Sequence, residues 1–154
     1  MKTQRINSDS IPTSKCTYLL FLSNTKSQKI NIGKQGDFLF PSGLFVYVGS
    51  AFGSGGLRGR ISHHLRINRK CHWNIDSLLQ KMSVGQVLYT ENPNRLEHEW
   101  AMLLERIPEL SILMKRFGAS DCQCASHLFH IRSKFGRIRI EEQLKEDVMK
   151  ISVL

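Results

Sequence analysis

Residues 40–65 read FPSGLFVYVGSAFGSGGLRGRISHHL, and the changes of character within that stretch decide the fold class. Pro41-Ser42-Gly43 is a turn signal. Leu44 to Val48 is an apolar run rich in β-formers and reads as a buried strand. Ser50 to Gly56 is small and glycine-rich. From Leu57 the period becomes helical: Leu57, Ile61 and Leu65 form one stripe, Arg60 and His64 are i, i+4 neighbours on its flank, and His63 points further away. A strand feeding a helix through a glycine-rich loop predicts a mixed α/β domain.

Working outward, Cys16 to Leu22 (CTYLLFL) reads as a second buried strand. Lys29 to Ile32 alternates as an exposed strand would, and Asp37 to Phe40 is a short strand, so the first third predicts a meander. The helix from Leu57 runs to about Asn68, and a second covers His72 to Lys81. Val84 to Tyr89 is a strand. Asn94 reads as an N-cap with Glu97 as its capping-box partner. The helix they open carries Leu96, Trp100, Leu103, Leu104 and Ile107 on one face and stops near Pro108. Residues 117–127 read as a loop, Leu128 to Ile131 as a strand, Arg137 to Ile140 as an alternating strand, and Glu141 to Lys150 as a helix. The expected fold is α+β: a small, mainly antiparallel sheet flanked by helices. Residues 1–14 are expected to be a flexible tail, 15–133 the domain, and 134–154 a C-terminal strand/helix extension packed on it.

The 154 residues fit one domain, and a hydrophobic content of 41% excludes wholesale disorder. Lysine and arginine outnumber aspartate and glutamate 22 to 13, giving a formal charge of +9. That balance favours a polyanionic partner, nucleic acid above all, with DNA ahead of RNA. No stretch approaches the roughly 20 apolar residues of a membrane span. Met1 to Ser14 lacks the apolar core of a signal peptide, so a cytoplasmic location is expected. In that compartment Cys16, Cys71, Cys122 and Cys124 are buried thiols or metal ligands before they are disulfides.

Hydrolysing a phosphodiester requires a deprotonated nucleophile, neutralised phosphate charge, usually a metal on an oxygen, and a grip on the strand. Tyr47-Val48-Gly49, the glycine-rich loop and the helix carrying Arg60 and His64 resemble the second half of the GIY-YIG nuclease signature, with Cys16-Thr17-Tyr18 in place of the first half. The stretches FPSGLFVYVGSAFGSGGLRGRISHHL, CHWNID and FGASDCQCASHLF are more closely similar to the DUF123 family, a divergent GIY-YIG branch, over roughly residues 15–131. The resemblance implies that Tyr47 is the general base or water-orienting phenol, that Tyr18 supports it from the neighbouring strand, that Arg60 clamps the scissile phosphate, and that His64 assists. It also implies a glutamate on the later helix that binds Mg²⁺ or Mn²⁺. Glu97 and Glu99 flank the apolar stripe on opposite sides, so periodicity does not choose. With Glu97 assigned to the cap, Glu99 is the expected ligand.

Three departures stand out: Cys16 replaces the glycine of the first tripeptide, an extra hairpin covers Lys29 to Phe40, and the loop from Tyr47 to Arg60 is long. Each candidate also has a plain structural alternative: core aromatics for the tyrosines, a solvated arginine, a core-edge histidine. The amides around Gly53, Gly55 and Gly56 precede a helix, where a phosphate can sit, though a plain turn fits equally. Gly55, Gly56, Arg58, Arg66, Arg69 and Lys70 are the expected nucleic-acid contacts. Cys122, Cys124 and His127 form a zinc candidate that Cys71 or His72 would complete. The C-x-C spacing is not that of a zinc finger, so a tight loop with buried thiols is preferred. His72, Trp73 and Asp76 read as structural. The leading expectation is a metal-dependent endonuclease whose Tyr47, Arg60 and Glu99 converge on one open pocket. A binding module that has lost cleavage is the alternative, and a zinc-stabilised interaction protein a third.

Overall fold

Nine consecutive residues, Cys16–Asn24, form the central strand β1 of a six-stranded sheet, and nearly all of them are buried because helices cover both faces. The structure, a computed structural model, describes residues 8–66, 74–119 and 122–153. Arg69, Lys70, Cys71, His72 and Trp73 lie outside the described residues, as do residues 1–7 of the expected tail and Asp121. The remaining elements are β2 (Gln28–Asn31), β3 (Asp37–Phe40), β4 (Gly43–Ala51), α1 (Gly56–Leu65), α2 (Asn74–Leu79), β5 (Ser83–Thr90), α3 (Glu97–Glu105), β6 (Leu110–Ser111), β7 (Leu128–Ile131), α4 (Lys134–Gln143) and β8 (Met149–Ser152). The sheet runs β6-β7-β4-β1-β5-β8 and every pairing is antiparallel, while β2 and β3 form a separate hairpin.

Alternation along β1 separates two cores, because successive strand side chains point to opposite faces. Tyr18, Leu20 and Leu22 pack with Phe45, Leu57, Ile61, Ile75 and Leu78 under α1 and α2. Leu19 and Phe21 pack with Val46, Val48, Trp100, Leu104, Phe129 and Ile140 under α3 and α4. Tyr47 joins the first face. The register pairs Tyr18 with Gly49 across β1 and β4 and with Tyr89 across β1 and β5. Leu128 pairs with Tyr47, so the start of β1, the ends of β4 and β5 and the start of β7 share one end of the sheet.

Three expectations are corrected. Residues 8–14 are not a loose tail: Ile11 is buried, the backbone amides of Leu57 and Arg58 donate to the carbonyls of Ser14 and Pro12, and the Arg58 guanidinium donates to those of Ile11 and Asp9. The C-terminal order is helix then strand, the reverse of the alternation read at 137–140. Ser133 caps α4 by accepting from the Phe135 amide, and Gly136 is required because a Cβ there would come 2.8 Å from Ile131 Cγ2. Residues 149–152 then form an edge strand beside β5, so this extension completes the sheet. Third, α3 begins at Glu97 with Leu96 in the cap position. The amide of Asn94 donates to Asn92 Oδ1 and that of Leu96 to Thr17 Oγ1, so the capping box does not form and Glu97 is released from it.

Gly56 sits at φ +57, and a Cβ there would collide with the Thr13 carbonyl. Gly56→Ala is expected to lose about 1–3 kcal/mol in denaturant melts through left-handed strain. Gly53 has nothing within 4 Å of its Cβ position, so Gly53→Ala should stay within about 0.5 kcal/mol of the parent. Equal melts for the two variants would contradict this packing.

Candidate active site

Tyr18 is the anchor of the site. Its ring fills the space that a side chain at position 49 would take: a Cβ on Gly49 would overlap the ring and lie 2.5 Å from its hydroxyl. The ring therefore reaches across β4 to α1, where Tyr18 Oη lies 2.8 Å from His64 Nε2. His64 Nδ1 faces Asp76 Oδ1 at 3.8 Å, and His63 Nε2 lies 3.2 Å from the same oxygen. A proton on Nδ1, toward the Asp76 carboxylate, leaves Nε2 to accept from the Tyr18 hydroxyl. Tyr18, His64 and Asp76 are all buried, forming a polar line from the sheet through α1 to α2.

Electrostatics follow from that burial. Loss of water pushes the Tyr18 phenol well above its usual range, and Tyr47 and Glu97 push it the same way while Arg60 opposes them. Tyr18 is thus held as a neutral donor. Burial also lowers the His64 pKa below 6.5, with Asp76 opposing and Arg60 and His63 assisting. The charged and polar groups acting on the Tyr18 phenol are Tyr47, Arg60, Glu97 and Asp76.

Tyr47 is half-buried, edge-on to Phe117 with ring centroids 6.2 Å apart. Arg60 and His63 line a pocket of about 220 Å³ with Gly53, Ser54 and Gly59, at the mouth of the glycine-rich loop. Of the four expected residues, Tyr18 and His64 are in direct contact, while Tyr47 and Arg60 act on the Tyr18 phenol through their charge. Glu99 is a correction. It is exposed and lines a groove with Met102, Arg106, Glu109, Arg139 and Lys145, where α3 meets α4. Residues two apart on a helix diverge by about 200°, so Glu97 and Glu99 leave α3 in different directions, and Glu97 is the one whose charge reaches the Tyr18 phenol. His63 is a second correction, since it turns in to Asp76 rather than away.

The expected phosphate cradle is also corrected. The first four amides of α1 are already used: Gly56 donates to Gly53, Leu57 to Ser14, Arg58 to Pro12 and Gly59 to Gly55. Gly55 and Gly56 are there for positive φ (+87 and +57), not for anion contact. Arg58 holds residues 9 and 11 and is not presented to a partner. Arg66, at the end of α1, is exposed as expected.

The loop before β7 separates its two cysteines. Cys122 Sγ lies 3.4 Å from His127 Nε2. Cys124 is buried, its thiol donates to the His98 carbonyl at 3.8 Å, and burial followed by the neighbouring Cys122 pushes its pKa to about 12. Cys124 is therefore a core thiol, and the zinc candidate loses it. Sequence reasoning missed His98 and Glu97 here. Glu97 Oε1 lies 3.0 Å from His127 Nδ1, a contact that joins α3 to this loop.

Neutral burial of His64 fixes a sign for the effect of acid. The unfolded histidine binds its proton near pH 6.5 and the folded one only at lower pH, so the unfolded state holds more protons through that window. Stability should be level above pH 7 and fall as pH drops below about 6.5. In His64→Gln the fall should be shallower, as read from melts between pH 5 and 7.5. Identical pH profiles for the two proteins would contradict the assignment.

None of the curated proteins or solved structures compared with the chain matches it. One family does, over residues 17–150, which takes in α1 to α4 and every residue of the Tyr18 site. The chain belongs to the family described as domain of unknown function DUF123.

Proposed function

We propose that the protein is a metal-dependent nuclease of the GIY-YIG type, hydrolysing phosphodiester bonds in nucleic acid. One observation carries the reading: the buried Tyr18 hydroxyl is bonded to His64, and the charges of Tyr47, Arg60, Glu97 and Asp76 all reach the Tyr18 phenol, so that β1, β4, α1, α2 and α3 each contribute a group. Structural packing alone does not call for that combination, since each group costs free energy to desolvate. Hydrolysis of a phosphodiester does call for it.

Tyr47, half-buried and so open to water on one side, is the phenol that orients or deprotonates the attacking water. Tyr18, buried and held neutral, donates its hydrogen bond to His64 and so acts as a positioning residue that fixes α1, and with it Arg60, against the sheet. Arg60 neutralises the phosphate charge as it grows in the transition state. His64 is 2% exposed, so it acts through Tyr18 and does not touch substrate. Glu97 replaces Glu99 as the carboxylate for a divalent cation. Its side chain is 25% exposed and only one oxygen is turned to His127. A single carboxylate open to water suits Mg²⁺, or Mn²⁺ with the same oxygen ligands, because magnesium keeps most of its water shell. The +9 charge supports a polyanionic substrate and predicts binding that weakens steeply with salt.

With supercoiled plasmid and with labelled DNA and RNA structures, Mg²⁺-dependent nicking is expected and EDTA should abolish it. Arg60→Ala and Glu97→Ala should each lower the rate by about 10²–10³-fold. Glu99→Ala should leave it unchanged. Salt-sensitive binding without cleavage would replace this reading with a binding-only module. Full activity in the Arg60 and Glu97 variants would end it.

A further inference from the structure

We infer that His98, Cys122 and His127 form a zinc site, distinct from the magnesium carboxylate and braced by it. One ligand atom from each residue lies within 4.8 Å of the others. Cys122 and His127 come from the loop between Phe117 and β7 and His98 from α3, so the fold brings the third ligand to the other two. A tetrahedral zinc with bonds of about 2.3 Å to sulfur and about 2.0 Å to nitrogen separates those ligands by about 3.5 Å. The 3.4 Å between Cys122 Sγ and His127 Nε2 is already that edge. His98 is exposed on α3 and has to close by about an ångström for the same bond lengths, within reach of a surface side chain.

Two further features mark a built site. The other nitrogen of His127 faces the Glu97 carboxylate at 3.0 Å. A carboxylate on the far side of a ligating imidazole fixes its tautomer and raises its basicity, the usual second partner of a zinc histidine. His127 is wholly buried, with Nδ1 facing the Glu97 carboxylate and Nε2 facing Cys122. The loop is also held in shape independently of any ion. The Arg116 guanidinium donates to the carbonyls of Ala119, Cys122 and Cys124 at 2.5, 2.5 and 2.7 Å. The cysteine is therefore presented at a fixed place. One thiolate with two imidazoles favours a borderline-soft cation such as Zn²⁺ over Mg²⁺ or Ca²⁺. Three protein ligands leave one position for water.

The inference is independent of cleavage and is tested without nucleic acid. The full chain, stripped with chelator and kept reduced, is titrated with Co²⁺ and then Zn²⁺. Wild type is expected to give a thiolate-to-cobalt charge-transfer band with intense visible bands of a tetrahedral ion, displaced by one equivalent of Zn²⁺. Cys122→Ser should lose the charge-transfer band. His98→Ala, an exposed change that leaves the core intact, should weaken Zn²⁺ at least tenfold. Cys124→Ser should keep the band, and Glu97→Gln should keep it with affinity lowered about 10–100-fold. No band in wild type, or a band that survives in Cys122→Ser or depends on Cys124, would overturn the site. So would undiminished Zn²⁺ affinity in His98→Ala. Mg²⁺-dependent nicking, measured separately, has no bearing on these outcomes.

Discussion

The hydroxyl of Tyr18 bonded to a buried histidine on α1 is the constraint on which the rest of the site depends. Phenol, imidazole and carboxylate are each costly to strip of water; the Tyr18 hydroxyl bonds His64 Nε2, and the Asp76 carboxylate faces the other side of the ring at 3.8 Å. This line exists only because the residue facing Tyr18 on β4 is glycine. It also fixes the distance between sheet and helix, which brings Arg60, one turn before His64, to the pocket mouth. Removing the hydroxyl would leave a buried imidazole nitrogen without its donor, a loss of about 1–3 kcal/mol.

The sheet explains why the pieces arrive together. Antiparallel pairing brings the start of β1, the ends of β4 and β5 and the start of β7 to one end. Helix α3 begins beside that end, tied by the Leu96 amide to Thr17 of β1. Glu97, its first residue, therefore stands where both faces can be reached: close enough to act on Tyr18 beneath α1 and in contact with His127 beside α3. In this account one carboxylate serves two ions, as a direct oxygen ligand for magnesium and as the brace of a zinc histidine.

Strands and their faces were legible because their signal is local. The apolar runs CTYLLFL and LFVYV mark the two central strands, and helical spacing puts Arg60 and His64 on one flank of α1, while the grouping of Tyr18 and Tyr47 with them was what the family resemblance implied. What depended on non-local contacts was not legible. Asn94, Glu97 and an apolar run make a plausible capping box, but the Thr17 hydroxyl takes the Leu96 amide and shifts the helix start, which exchanges the roles of Glu97 and Glu99. The glycine-rich loop looked like a phosphate cradle because nothing in it shows that residues 12 and 14 take the Leu57 and Arg58 amides. The alternation at 137–140 belongs to a short helix with two buried positions, Gly136 and Ile140, too few for helical period to emerge over strand period. His98 sits on an exposed helix position with no local mark, and only the fold brings it to Cys122.

The central claim is that nucleic acid docks at the Tyr18 end of the sheet. Amide chemical-shift mapping with a short oligonucleotide, in Ca²⁺ to suppress cleavage, tests it most directly. The account predicts shifts confined to Tyr47, Gly53, Ser54, Arg60 and Glu97 and their neighbours, with residues 102–109 and 139–145 silent. Shifts centred on the groove between α3 and α4, or none at the Arg60 pocket, would contradict it.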